Sequence, residues 1–252
     1  MTRQPTLEAC DLALAWEGEV IVSDVSFALA PGELVCLVGR SGSGKTTLFH
    51  ALAGLTEPVR GHVLLDGTDI TGKPGHVSYM LQKDLLLPQR RVLDNVTLPL
   101  LAQGMAKKEA RTRADELFVE FGLAGTERFY PHQLSGGMRQ RAALLRTYLM
   151  DNPVILMDEP FSALDALTRA DMRRWFVDTL TTHGLTAMLV THDVDEALAV
   201  ADRILVLAKT NPNKPATLVG EVPIEASRED REDYLLSENA LEAKRQVLTL
   251  LA

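Results

Sequence analysis

The chain has 252 residues, 46% of them hydrophobic, and a formal net charge of −8 at pH 7. That length supports one large domain or two small ones with a real core, and the acidic balance argues against broad electrostatic capture of nucleic acid. No uncharged apolar run reaches about 18 residues and no signal-peptide pattern opens the chain, so it is expected neither to span a membrane nor to be exported.

Residues 6 to 30 alternate as short strands: Leu12, Leu14 and Trp16, a turn at Glu17-Gly18-Glu19, then Val20, Val22, Val25, Phe27 and Leu29. They predict an antiparallel β-layer. Cys10 and Cys36 lie far apart in apolar surroundings, which favours core packing over a disulfide or metal site and fits a reducing cytoplasm. The apolar run Glu33 to Val38 then leads into Gly39-Arg40-Ser41-Gly42-Ser43-Gly44-Lys45-Thr46, a match to G-x-x-x-x-G-K-[S/T] at every fixed position. The glycines let successive backbone N–H groups converge on phosphate oxygens. Lys45 would reach the β- and γ-phosphates and Thr46 offers a hydroxyl to Mg²⁺. Thr47 begins a helix whose positive end faces the anion. Strand, loop and helix together identify a nucleoside-triphosphate cradle.

Gly61 to Gly67 reads as a strand ending in a turn, and His76 to Leu81 as a strand leading to Gln82. From Asp84 to about Asp151 the pattern is helical, with helices expected over Val92 to Leu101 and Lys107 to Phe121, separated by Gly104 and Gly122. This predicts a helical subdomain, about 84–151, inserted into an α/β core. Val154 to Met157 is a continuous apolar strand ending in Asp158-Glu159-Pro160, followed by a helix over Leu164 to Thr181. Thr186 to Val190 is a further strand ending at Thr191-His192-Asp193, Val194 to Ala201 a helix, and Arg203 to Leu207 the last strand. The alternation implies right-handed crossovers and a parallel sheet. After Ala208 come a loop at 210–215, a capping sequence at Ser227-Arg228-Glu229-Asp230 and one charged helix ending near Leu251. The division expected is therefore 1–208 and a short extension, 209–252.

Asp158 follows a buried strand, where a carboxylate can orient the Mg²⁺ of a bound nucleotide, and Glu159 beside it is the candidate general base for water. Leu134-Ser135-Gly136-Gly137-Met138 opens another helix, expected from Met138 to about Met150, and so makes a second anion-binding helix start. One phosphate loop does not need two such sites. A dimer resolves this, with Ser135, Gly136 and Gly137 of one copy facing the nucleotide held by Lys45 of the other.

At this point the sequence resembles the ATP-binding subunits of ABC transporters, over residues 6 to about 208. The resemblance rests on Trp16, the loop from Gly39 to Thr46, Gln82, Leu134-Ser135-Gly136-Gly137-Met138, Val154 to Glu159, Ser162-Ala163-Leu164-Asp165 and His192, in the family's order. It implies a RecA-like P-loop NTPase core of α/β class with an antiparallel β-subdomain and the inserted helical subdomain. It further implies that Trp16 stacks on adenine, that Gln82 senses the γ-phosphate and metal, that Ser135 and Gly137 contact the γ-phosphate across a homodimer, that His192 is the switch, and that Asp165 couples the two sites. On the residues alone Trp16 serves equally as core filler. Met138 departs from the Gln common in the family, so turnover is expected to be at most slower or slightly altered.

No membrane segment is fused to the motifs and no second motif set is present, so the expected form is a separate subunit driving membrane permease subunits, with any solute-binding protein acting only indirectly. It would lie in the cytoplasm, peripheral on the inner face of the cell membrane. Leu85-Leu86-Leu87-Pro88 and Val92 to Val96, within the region Gln82 to Leu101, either form a groove for a permease helix or pack the helical subdomain. Within the family the pattern looks like importers of the nitrate, sulfonate and taurine type. The competing reading is a non-transport ATPase of a soluble complex, or a weakly hydrolysing ATP-gated module.

Overall fold

The computed structural model describes residues 6–252. β1 (Leu7–Trp16) and β2 (Glu19–Leu29) pair antiparallel across the expected turn. β3 (Leu34–Val38), buried at every position, feeds the glycine-rich loop, and α1 (Lys45–Leu52) leaves it. β4 (Arg60–Leu65) and β5 (Thr68–Asp69) complete a four-stranded antiparallel sheet in the order β2-β1-β4-β5.

β6 (Ser78–Met80) returns to the core, and the helical insertion follows. Here the structure corrects the sequence reading. The helix expected over Val92 to Leu101 is two, α2 (Val92–Val96) and α3 (Leu98–Ala102), because Pro99 has no N–H to give to the carbonyl four residues back. The next, α4 (Lys107–Glu116), stops before Phe121, and the turns that follow drop Phe118, Phe121 and Leu123 into the core. Gly122, at φ +64°, completes that reversal. α5 (Gly136–Tyr148) starts two residues before the expected Met138, since Ser135 caps it by accepting from Met138 N at 3.3 Å.

β7 (Val154–Asp158), α6 (Ala166–Thr182), β8 (Thr186–Thr191), α7 (Val194–Val200) and β9 (Arg203–Ala208) follow the predicted alternation. β9 is not the last strand. β10 (Thr217–Pro223) pairs antiparallel with it, at the edge of a six-stranded sheet ordered β10-β9-β3-β8-β7-β6 that is otherwise parallel. Gly220 and Pro223 weaken the strand pattern of β10 in sequence. Gly220 makes room for the last helix: a Cβ would lie 2.7 Å from Leu250 Cδ1, so that side chain would have to shift. The single tail helix expected is also two, α8 (Arg231–Leu235) and α9 (Glu238–Leu251), the second capped by Ser237.

Side chains of β3 alternate between two cores. Cys36 and Val38 face the cluster shared with the helical insertion and tail, while Val35 and Leu37 face the cluster under the antiparallel sheet. Burial on both faces is what a continuous apolar strand encodes. Cys36 is fully buried in the core as expected, whereas Cys10, also free, is only half-buried and joins neither core cluster. Among the described residues no helix is long and apolar enough to cross a membrane.

The strand order decides where chemistry sits. β8 lies between β3 and β7, with Val38 beside Thr191 and Asp158 beside Val190, so the carboxyl ends of the three strands are level. The loops after them share the crevice at the end of a parallel sheet.

Candidate nucleotide-binding and hydrolysis site

The loop after β3 is shaped by its glycines. Gly44 sits at φ +93°, and a Cβ there would be 2.4 Å from Val22 Cγ2. A Cβ at Gly39 would be 2.5 Å from the Leu207 carbonyl and 2.7 Å from Ser43 Oγ. Neither position admits a side chain. Lys45 crosses the loop, donating from Nζ to Gly39 O at 2.8 Å and Arg40 O at 3.0 Å. Burial pushes its pKa down, against the opposing pull of Glu159 and Asp158. Ser43 Oγ is buried with no partner, leaving a polar group to be satisfied by whatever the loop holds.

Trp16 is not core filler. It is 60% exposed at the end of β1 and, with Ile21 and residues of the loop from Gly42 to Thr47, lines a cavity of about 320 Å³. An exposed indole beside a phosphate-type loop offers a stacking face for a base.

Asp158 ends β7 with Oδ2 accepting from Thr46 Oγ1 at 3.2 Å and from Tyr79 OH at 3.5 Å. Burial raises its carboxyl pKa, partly offset by the Thr46 bond, and the same surroundings push the Tyr79 phenol well up. Among the described residues no three His, Cys, Asp or Glu side chains gather into a metal cage. Mg²⁺ in a nucleotide site takes one or two protein oxygens and completes its shell with phosphate and water. The donor set of Thr46 hydroxyl and Asp158 carboxylate, the orphaned Ser43 hydroxyl and the side-chain-free cradle therefore fit Mg-ATP.

Glu159 has the left-handed backbone at φ +45°, uncommon for a residue with a side chain, and its N–H is fixed on Val190 O at 3.0 Å. This turn brings its carboxylate to two partners: His192 Nδ1 is 2.9 Å from Oε1, and Gln82 Nε2 donates to Oε2 at 3.0 Å. Ser162 Oγ, 3.4 Å from Gln82 Nε2, donates to Glu159 O at 2.9 Å. In this structure Gln82 and His192, expected from the resemblance to face the γ-phosphate, both hold Glu159.

Ser135, Gly136 and Gly137 form a separate group. A Cβ on Gly137 would meet Thr168 Cγ2 at 3.2 Å and one on Gly136 would meet Leu164 Cδ2 at 3.4 Å, so this helix start abuts the start of α6. There Asp165 caps α6, accepting from Thr168 N at 3.1 Å and Thr168 Oγ1 at 2.6 Å; these bonds hold its carboxyl below the usual range. None of the hydrogen bonds of residues 135–137 or Asp165 reaches the loop at 39–47 among the described residues. Met138 packs its side chain against the large core, leaving the backbone donors of the turn unaltered.

Two residues the sequence reading missed belong to the site, Tyr79 and Ser162. Tyr79 lies on β6, whose pairing with β7 closes across the whole helical insertion, and no local pattern announces it. Ser162 was in view as part of Ser162-Ala163-Leu164-Asp165, but its bond to Gln82 is set by the turn at Glu159. The segment after Gln82 is also pinned. Asn95, fully buried, exchanges hydrogen bonds with the backbone of Leu87, and Arg146 of α5 donates to Leu85 O at 2.9 Å and Asp84 O at 2.5 Å. The open question about its leucines divides: Leu86 is buried in the core and Leu87 half-buried, while Leu85 is exposed.

A glycine-rich loop crossed by Lys45, a strand-end Asp on the Thr46 hydroxyl and a clamped Glu define a P-loop nucleoside-triphosphatase. A family model described as ABC transporter matches residues 22–162. The chain is 39% identical over 231 residues to the formylaminopyrimidine import ATP-binding protein of Halalkalibacterium halodurans, covering 92% of this chain and 90% of that one. It is 42% identical over 218 residues to an aliphatic sulfonates import ATP-binding protein of Burkholderia cenocepacia, covering 86% and 78% of the two chains. A dimeric ATP-binding cassette in a post-hydrolysis state bound to ADP and phosphate superposes with TM-score 0.72 at 28% identity, covering 88% of this chain and 100% of that one. Another structure, cbiO1 of Clostridium perfringens, part of the ABC transporter complex cbiONQ, shares the fold with TM-score 0.78 at 20% identity, covering 97% and 100%.

The chain belongs to the ABC transporter family. It is an ATP-binding, ATP-hydrolysing subunit that uses ATP and Mg²⁺ to drive transport.

Proposed function

We propose that two copies of the chain close on two Mg-ATP molecules and drive import of a small solute through separate permease subunits, working from the cytoplasmic face of the membrane. The observation that carries this reading is the separation, within one copy, of two glycine-rich helix starts: the loop at 39–46 has Asp158, Glu159, Gln82 and His192 around it, and the turn at 135–137 has none of them. The import names of the relatives support the direction, and the sulfonate relative supports a small organic solute.

In this reading the backbone N–H groups of Gly42 to Thr47 bind the phosphates, with Arg40 and Ser41 at the loop's mouth. Lys45 leaves the Gly39 and Arg40 carbonyls for the β- and γ-phosphates, and Trp16 stacks on the base. Thr46, Asp158 and Gln82 hold the metal. Bound Mg²⁺ supplies charge neutralisation on the transferring phosphoryl group. Glu159 accepts the proton of the attacking water. His192 and Gln82, already on its carboxylate oxygens, set its direction and release it when they turn to the phosphate. Ser135, Gly136 and Gly137 of the second copy close the site, and Asp165 lies at the joint between that turn and α6. The exposed Leu85 and the pinned segment around it fit a permease helix docking on the region Gln82 to Leu101.

The test is the Glu159→Gln variant, which keeps the cradle and removes the base. Its turnover should fall by about 10²- to 10⁴-fold, and light scattering should show a monomer becoming a dimer on Mg-ATP. A variant that hydrolyses ATP normally, or stays monomeric both alone and with its co-expressed permease, rejects the reading.

A further inference from the structure

Away from the nucleotide site a cavity of about 220 Å³ lies between α6, the end of α7 and the segment from Arg228 to Leu235. Its wall carries four guanidinium groups, on Arg173, Arg174, Arg228 and Arg231, against the carboxylates of Asp178 and Glu232. Two of the four are already paired. Arg228 grips Asp202 at 2.6 and 3.1 Å, and Arg174 grips Glu232 at 2.6 Å.

The other two have no close carboxylate of their own. Arg231 has a side chain only 6% exposed, and its nearest carboxylate oxygen is on Asp202 at 3.9 Å, a group committed to Arg228. Its terminal nitrogens donate to backbone carbonyls, Ala201 O at 2.6 Å, Ala226 O at 3.2 Å and Leu198 O at 3.3 Å, and its Nε has no partner. Carbonyl dipoles at the end of α7 only partly offset a buried charge. Arg173, half-buried on the same wall, makes no hydrogen bond or ion pair among the described residues; its field reaches Glu196. Between these cations the wall is aliphatic, from Ala170, Val177, Ala199 and Leu235.

We propose that this cavity binds a small organic oxyanion, its charged end on Arg173 above the buried charge of Arg231 and its short aliphatic body against Val177 and Leu235. A bare ion would leave the apolar wall wet, and a neutral solute would leave both cations with only distant or shared carboxylates. The occupant would brace α6, which Asp165 caps, against α7, which begins two residues after His192, and so would act on helices that leave both turns of the proposed site, at Glu159 and His192.

The test uses the whole chain with its phosphate loop saturated by Mg-ADP. Ethanesulfonate, butanoate and inorganic phosphate are each compared with sodium chloride at equal ionic strength. The organic anions should raise the melting temperature by about 3–6 °C at a tenfold excess over their dissociation constant. Arg173→Glu and Leu235→Trp, one reversing the charge and one filling the cavity, should each abolish the rise while keeping wild-type ATP hydrolysis. Lys45→Ala, without nucleotide, should retain it. No rise beyond chloride, a rise that survives Arg173→Glu and Leu235→Trp, or a rise lost only in Lys45→Ala overturns the proposal. A rise given by phosphate alone overturns the aliphatic half of it.

Discussion

Two turns in this molecule look alike in sequence and differ in what surrounds them. Both are Gly/Ser-rich and both open a helix, at α1 and at α5. Around the first, the ends of β3, β7 and β8 converge, so that Lys45, Thr46, Asp158, Glu159 and His192 gather from distant parts of the chain. The second stands on the helical insertion beside Leu164 and the start of α6, and its serine is occupied in capping its own helix. The first turn is a site with its chemistry already assembled; the second has donors and no chemistry. Complementarity between them is what the proposed dimer rests on, and the post-hydrolysis cassette to which the chain is similar is itself dimeric.

The sharpest way to break that comparison is to block the second turn without touching the first. Ser135→Arg places a long cation where the turn would meet a phosphate, and ATP hydrolysis should fall by about 10²- to 10³-fold, the loss expected for an oxyanion-type donor. Binding of ATP by the monomer should change less than about twofold, since no contact joins Ser135 to the loop. Ser135→Ala is the control: it loses the cap, worth about 1 kcal/mol, and keeps the turn open, so it should melt earlier yet hydrolyse far faster than Ser135→Arg. Equal turnover in the two variants would reduce Ser135 to a helix cap.

A smaller effect is expected where the two turns are joined inside one copy. Arg146, on the helix that the second turn opens, holds the backbone at Asp84 and Leu85, just beyond the Gln82 that clamps Glu159. Removing its side chain in Arg146→Ala leaves two carbonyls without their donor, at about 1–3 kcal/mol for each that stays dry. Turnover should drop about tenfold with Mg-ADP affinity unchanged, because the cradle is intact. Arg146→Lys should recover only part of the loss, since an ammonium lacks the guanidinium fork that spans both carbonyls. A fall in nucleotide affinity matching the fall in turnover would show that the strap supports the cradle and not the Gln82 segment.

How far each turn is legible in sequence follows the same division. Continuous apolar runs reported β3, β7 and β8 directly, since strands buried on both faces need apolar residues at every position. The site residues at their ends were therefore readable as strand-end positions. β10 was not readable, because an edge strand with Gly220 and Pro223 carries little alternation, and Gly220 answers to Leu250 thirty residues on. The clamp on Glu159 was equally hidden: it depends on a positive φ at a residue type that rarely adopts one, and on Gln82 reaching it across the helical insertion. Pairings that local pattern cannot carry are set by topology, and here topology places Tyr79 and Ser162 in the site.

The smallest effect concerns the base of the His192 turn and sharpens why the first site is rigid. Glu196 is 5% exposed and bonds Thr191 Oγ1, which in turn accepts from Asp193 N at 3.0 Å, so the carboxyl supports the backbone on both sides of His192. Burial raises its pKa from the ordinary 4.5, with the Thr191 bond and the charges of Arg173 and Arg169 opposing. A raised folded pKa means that the folded chain binds more protons than the unfolded one in the window above 4.5, so this group's contribution to stability falls as pH rises through that window. Glu196→Gln keeps an oxygen for Thr191 and removes the titration. Between pH 5 and pH 7.5 the variant should therefore lose less stability than wild type in parallel urea titrations, with near-equal turnover at the lower pH. Identical pH slopes in the two proteins would mean that Glu196 ionises as freely in the fold as outside it, and that the His192 turn is held by the Asp193 cap alone.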